Sequence, residues 1–232
     1  SRSTMNTKSL IDRLLQSGTD ALQSTQRAGT SRPGGTGDLN QFLKGAGGGA
    51  LAGTAVALLL GNKKARKMGG KALKYGGAAA LGLVAYQAFR SWQSNRDAAP
   101  QHEPRTLDRV PEPEAEEHSQ AILKAMLGAA KADGHIDDRE RELIDAQIAD
   151  LTGDRALEAW VDQELRKPVD PADIAARATT PELAAEMYLA SLLMIDEESF
   201  MEKAYLDELA RRLQLDEALR AELHAASERA GG

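Results

Sequence analysis

Met126–Asp145, MLGAAKADGHIDDRERELID, is the stretch whose reading decides the fold. Its Ala-rich first part favours helix, and Asp133-Gly134 breaks the run because glycine tolerates the bend and stabilises helix poorly. The charged remainder restarts a helix whose leading acids meet the positive end of its dipole. A related break, MIDEESFMEKAYLD at 194–207, returns about sixty residues later. The back half therefore reads as two helix-turn-helix units facing one another.

Working outward, three-and-four spacing of apolar residues predicts helices at 116–132, 137–151, 154–166, 171–177, 181–195, 200–213 and 216–229,. No segment alternates as a strand would, so the expected class is all-α. Asp170 before Pro171 and Thr180 before Pro181 each place a cap ahead of a proline at the first helical position, and Asp216 is placed to cap the last helix,. Ile122, Leu123, Ile144, Ile148, Leu157, Trp160, Leu183, Leu206, Leu209 and Leu213 are enough apolar bulk for one core,. Met126, Met187, Met194 and Met201 read as core or interface filler,.

The front half has another composition. Residues 93–115 carry four prolines among polar residues and read as a linker ahead of an acidic helical domain at 116–232,. Before it, Gly45–Gly61 is uncharged, with Gly45, Gly49, Gly53, Ala57 and Gly61 at four-residue intervals. In water so many glycines weaken a helix, whereas in lipid a strip of small residues lets helices approach closely. Gly45, Gly49 and Gly53 are thus a candidate homo-oligomer contact. A second apolar run, Tyr75–Phe89, follows the basic stretch Lys63–Lys74. Each run is shorter than the ~20 residues that cross a hydrocarbon core. Residues 39–92 are therefore expected to form a membrane-associating Gly/Ala-rich helical hairpin, the alternative being a water-exposed hairpin or arm. Tyr75, Tyr86 and Trp92 suit interface anchoring. Residues 1–38 hold a short amphipathic helix over Ser9–Gln23, which either lies on a membrane or packs on a neighbour, and a Gly/Ser/Pro linker,.

Residues 1–100 carry 14 Lys and Arg against 4 acids, and residues 101–232 carry 15 against 31. A basic front beside Gly and Ala, without aromatic or amide side chains to read bases, suits anionic lipid rather than nucleic acid. The acidic back suits cations or basic partners. The chain has no cysteine, which removes disulfides and thiolate chemistry,. Four scattered histidines form no catalytic group, and no HExxH, serine elbow or P-loop is present,. The expectation is a non-enzymatic protein.

Asp133, Asp137 and Glu140 follow one another at spacings of four and three, and Asp196, Glu198 and Glu202 cluster in the second turn. Converging carboxylates suit a hard cation, calcium or magnesium. Helix capping accounts for part of the same pattern, since Asp137–Glu140 and Ser199–Glu202 are capping boxes. Capping leaves Asp133, Asp196 and Glu198 unexplained. The twelve-residue EF-hand loop is absent.

The glycine-rich stretch at 45–60, GNKKARKMGGKALKYGGAAALG at 61–82, KADGHIDDRE at 131–140 and MIDEESFMEKAYLDELARRLQLD at 194–216 together resemble the YebE-type family of bacterial inner-membrane proteins of unknown function. The C-terminal part is similar to the tellurite-resistance TerB-like fold. That resemblance implies about seven helices, an inner-membrane location, and a divalent-metal site at Asp133, Asp137, Glu140, Asp196, Glu198 and Glu202; the basic stretch Lys63–Lys74 favours the cytoplasmic side, and a shallow hairpin would keep the C-terminal domain cytoplasmic with it,. The second turn lacks the Asp-Gly pair of the first. The expected function is a membrane-anchored scaffold or stress-related protein binding a cation, a protein partner or both; the alternative is a soluble co-chaperone-like adaptor that takes a partner helix without metal.

Overall fold

The computed structural model describes residues 6–13, 77–95, 103–132, 138–195 and 200–231. These residues form helices and connecting turns with no strand among them, so the all-α expectation holds. The helices are α1 (residues 7–13), α2 (Gly77–Ser94), α3 (Glu112–Ala130), α4 (Asp138–Thr152), α5 (Arg155–Arg166), α6 (Pro171–Ala175), α7 (Pro181–Met194), α8 (Phe200–Arg212) and α9 (Glu217–Gly231).

At the centre stands α7. Its apolar residues run right round the helix, only Glu182, Glu186 and Ser191 interrupting them, and Leu183, Ala185, Met187, Tyr188, Leu189 and Leu192 are all buried. A helix without a polar face belongs inside. On one flank α7 packs against α3, on another against α2 and α9, and near its end against α8. To the side, α4 and α5 form a hairpin, with α6 between α3 and α8.

Local chemistry sets the boundaries. Asp170 accepts the N–H of Ala172 at 2.8 Å, Thr180 Oγ1 that of Leu183 at 3.1 Å and Asp216 that of Ala218 at 2.9 Å. All three caps are where the sequence puts them. Asp154 similarly starts α5, taking Ala156 N–H at 2.9 Å.

In three places the structure departs from the sequence reading. The expected linker at 93–115 is partly built into the domain: Thr106 and Leu107 are sealed, and α3 begins at Glu112, after extended Pro111. Prolines that read as linker instead mark a helix start, where their missing N–H costs nothing. The apolar run at 75–89, expected as half of a membrane hairpin, supplies α2, which buries Leu81, Ala85, Ala88 and Phe89 against α7 and α9. Protein, rather than lipid, covers that face. Met201, expected as core or interface filler, is not core: it is 56% exposed beside Phe200 at 83%.

Gly82 makes the seating of α2 possible. A Cβ there would stand 2.9 Å from Asp108 N and 3.3 Å from Glu186 Oε1, so only glycine lets the 106–108 turn come this close. Residues 39–76, with Gly45, Gly49 and Gly53, lie outside the described residues. Among those described, no helix is long and apolar enough to cross a membrane.

Candidate functional site

A lysine-lined cleft lies at the junction of α3, α5 and α6. Helical spacing on α3 places Lys124, Gly128 and Lys131 along one edge, and the chain leaving α5 supplies Glu164 and Lys167 opposite,. The side chain of Lys124 is only 5% exposed, so its charge needs partners,. Its ammonium lies 2.6 Å from Asp173 Oδ2 and 3.8 Å from Glu164 Oε2. The other oxygen of Glu164 accepts from Lys167 Nζ at 2.6 Å.

Lys131 closes the same junction by another route. Its Nζ donates to the carbonyls of Glu164 at 2.7 Å and Lys167 at 2.8 Å. Carbonyls at a helix C-terminus carry partial negative charge, so a cation there is favoured. Burial holds the Lys131 ammonium below the ordinary lysine range, against the opposing pull of Glu164,. In sequence the lysine sits two residues before Asp133. Inside the cleft there is room for about one water, ≈ 10 Å³,. This arrangement fastens three helices; it does not enclose a substrate.

Two further polar clusters lie deeper. Glu186 on α7 is wholly buried, accepting the backbone N–H of Leu107 at 2.5 Å and facing His118 Nδ1 at 3.2 Å. Burial pushes its carboxyl above the usual range, while the contacts with His118 and Leu107 pull the other way,. Tyr188, also wholly buried, meets His224 Nε2 at 3.0 Å and accepts from Arg220 Nε at 2.8 Å; Arg220 in turn pairs with Asp207. Neither cluster was signalled by the sequence. Partners 68 and 36 residues apart share no local pattern.

Of the six expected metal ligands, Asp133, Asp137, Asp196 and Glu198 lie outside the described residues. Glu140 falls within α4 and Glu202 in the first turn of α8. Among the described residues no group of three or more His, Asp or Glu side chains is placed to hold a metal ion. Among the described residues α3 ends at Ala130, α4 begins at Asp138, α7 ends at Met194 and α8 begins at Phe200, each within two residues of the expected limit.

A family model described as "Protein of unknown function (DUF533)" matches residues 45–227. The chain is also 33% identical over 101 residues to an "Uncharacterized protein in ampR 5'region" of Yersinia enterocolitica, a match spanning 44% of this chain and 73% of that protein. No solved structure matches.

Proposed function

The chain belongs to the family described as protein of unknown function DUF533, and on that premise we propose that it is a non-enzymatic scaffold held at a bacterial inner membrane. In this reading the glycine-rich stretch at 45–61 and the basic stretch after it meet lipid, and the helical domain presents its acidic turns, on the cytoplasmic side, to a protein partner, a calcium or magnesium ion, or both. One observation carries the reading: α2 is seated directly on α7 and α9. Lys74 stands three positions before α2 begins, so nothing longer separates the basic stretch from the domain. Whatever holds that stretch at a surface holds the domain there too.

The buried titratable groups support a binding role over catalysis, because they are engaged in joining helices. His118 faces Glu186, Lys124 pairs with Asp173, and Tyr188 holds His224 and Arg220. The seven described helices from Glu112 to Gly231 agree in number with a TerB-like bundle. A metal-free adaptor is the second reading, favoured by Phe200 and Met201, which stand exposed next to the second acidic turn.

Two measurements on the full chain test these parts. Flotation with phosphatidylglycerol/phosphatidylethanolamine vesicles is expected to carry the protein upward and to fail when residues 45–61 are deleted; a full chain that stays at the bottom removes the membrane part. Calorimetric titration with calcium, magnesium and zinc, compared with an Asp133→Asn/Asp196→Asn variant, tests the cation part. Absence of heat in the wild type would leave the adaptor reading.

A further inference from the structure

Helix α1 is seated on the first turns of α3. The backbone N–H of Thr7 donates to both carboxylate oxygens of Glu116, at 2.9 and 3.1 Å. Lys8 stands 3.7 Å from Glu112, and Leu10 and Ile11 are completely buried. The seat thus recognises a helix start whose first N–H lacks an intrahelical acceptor, a lysine one position on, and two apolar residues three and four positions on.

Three features make α1 separable from the body it sits on. It carries its own start signal, since Asn6 Oδ1 accepts the N–H of Ser9 at 3.2 Å, so its first turn is set by its own residues,. Its seating is imperfect: Thr7 Oγ1 is sealed without a hydrogen-bond partner among the described residues, a cost that release into water removes,. In sequence, residues 14–76 separate α1 from α2. The advantage of a chain's own helix over that of a second copy falls as such a connection lengthens.

We propose that α1 is exchanged between copies of this chain: the α1 of one copy takes the Glu116 seat of another, and the reciprocal exchange closes a dimer. The occupant is a second copy because it presents every recognised feature by identity, with Lys8 complementary in charge to Glu112. Swapping an identical element keeps the same hydrogen bonds and the same apolar burial, so its cost is low. The exchange needs neither lipid nor metal, and it gives a scaffold a way to link its own copies.

Two full-length variants test it by complementation. Leu10→Asp/Ile11→Asp spoils the occupant and leaves the seat, whereas Glu116→Arg spoils the seat and leaves the occupant. Each carries a donor or acceptor dye at Gln163→Cys on the exposed surface of α5, which labels singly because the chain has no cysteine. Energy transfer is expected when the two variants are mixed, where one working α1 meets one working seat, and is lost when either is mixed with itself. Excess unlabelled peptide of residues 5–16 is expected to abolish it. Transfer in the mixture no greater than in the self-mixtures would overturn the exchange, as would transfer that ignores the peptide, which places the linkage elsewhere. Hydrogen exchange at the α7 amides checks that both variants are folded; where the aspartates disturb α7, Leu10→Ala/Ile11→Ala takes their place.

Discussion

His118 on α3 and Glu186 on α7 meet across the middle of the domain, Nδ1 to Oε2 at 3.2 Å, with side-chain exposures of 6% and 0%. The second carboxylate oxygen takes the N–H of Leu107, and Gly82 of α2 packs close by. One buried acid thus ties α7, α3 and the 106–108 turn together beneath α2.

Glu186→Ala leaves the buried N–H of Leu107 without its acceptor and the buried imidazole of His118 without its partner, and is expected to destabilise the domain by about 2–4 kcal/mol,. Glu186→Gln keeps an acceptor for Leu107 and costs less. The pH dependence separates the two roles. With its folded-state value raised, the carboxyl holds a proton in the native chain that the unfolded chain has already released, so its contribution falls as pH climbs above the ordinary 4.5,. Thermal melts between pH 5 and 8 should show this component in the wild type and its loss in Glu186→Gln. Equal slopes in both would place the buried carboxyl's titration elsewhere.

The clasp between Thr7 and Glu116 predicts a local effect. Glu116→Gln removes the charge facing the first turn of α1 and should weaken its docking by about 1–2 kcal/mol. Hydrogen exchange at the amides of Leu10 and Ile11 is expected to accelerate roughly 5- to 30-fold by that measure, with the amides of α7 unchanged. Unaltered exchange at both positions would show that Leu10 and Ile11 hold α1 without the carboxylate.

Gly82→Ala is expected to cost about 1–3 kcal/mol in urea unfolding, since the added methyl meets backbone at Asp108 N and something must shift,. A control comes from Gln214, which ends α8 with φ +55°. There Gln214→Gly relieves a left-handed residue and should raise stability by about 0.5–1 kcal/mol. Opposite signs for two single-residue changes involving glycine are the test; a neutral Gly82→Ala would mean that the 106–108 turn moves freely.

Helix limits were legible because their causes are local. Asp170-Pro171, Thr180-Pro181 and Asp216 carry their own start signals, and each is realised as a hydrogen bond. The partners of α2 were not legible, because an Ala/Gly/Leu face suits lipid and a protein interior equally well. Leu81, Ala85 and Phe89 resolve that ambiguity only through α7 and α9. Composition misled in the same way at 103–115, where Pro104, Pro111 and Pro113 resemble a tether although Leu107 is buried among them. The lysine cleft was invisible for a third reason. Lys124 looks like any solvated helix charge until α5 and α6 bring Glu164 and Asp173 to it. Of the candidate metal ligands, sequence spacing places Glu140 and Glu202 on helices, and both fall within α4 and α8.

Lys124→Met tests that cleft. The methionine keeps the apolar stem but leaves the Glu164 carboxylate to Lys167, and a loss of about 2–3 kcal/mol is expected,. Asp173→Asn should cost under about 1 kcal/mol, because Asp173 is mostly exposed and its pairing is screened,. The hydrogen bond from Lys124 holds the Asp173 carboxyl below its ordinary value of 3.8. Its stabilisation is therefore present above that value and lost as pH falls through the lowered one. Acid unfolding followed by circular dichroism should begin at a higher pH in Lys124→Met than in wild type; coincident acid limbs would show that the pair contributes nothing to acid stability.

The strongest consequence of the fold concerns where the domain begins. Read by composition it starts at residue 116, but α7 presents a flank that α2 covers. Removing α2 uncovers that flank and deletes the burial of Leu81 and Phe89, which are 4% and 3% exposed. At about 1.5–3 kcal/mol for each large apolar side chain, the two alone account for about 3–6 kcal/mol, comparable with the whole stability of many small domains. A chain starting at Glu103 is therefore expected to bind the dye ANS, to lose sharp methyl dispersion in proton NMR, and to recover both when a peptide of residues 77–95 is added in trans. The full chain should show neither defect. If the shortened chain instead melts cooperatively near the full-length temperature and ignores the peptide, α2 is an appendage and the front half is free to separate from the domain.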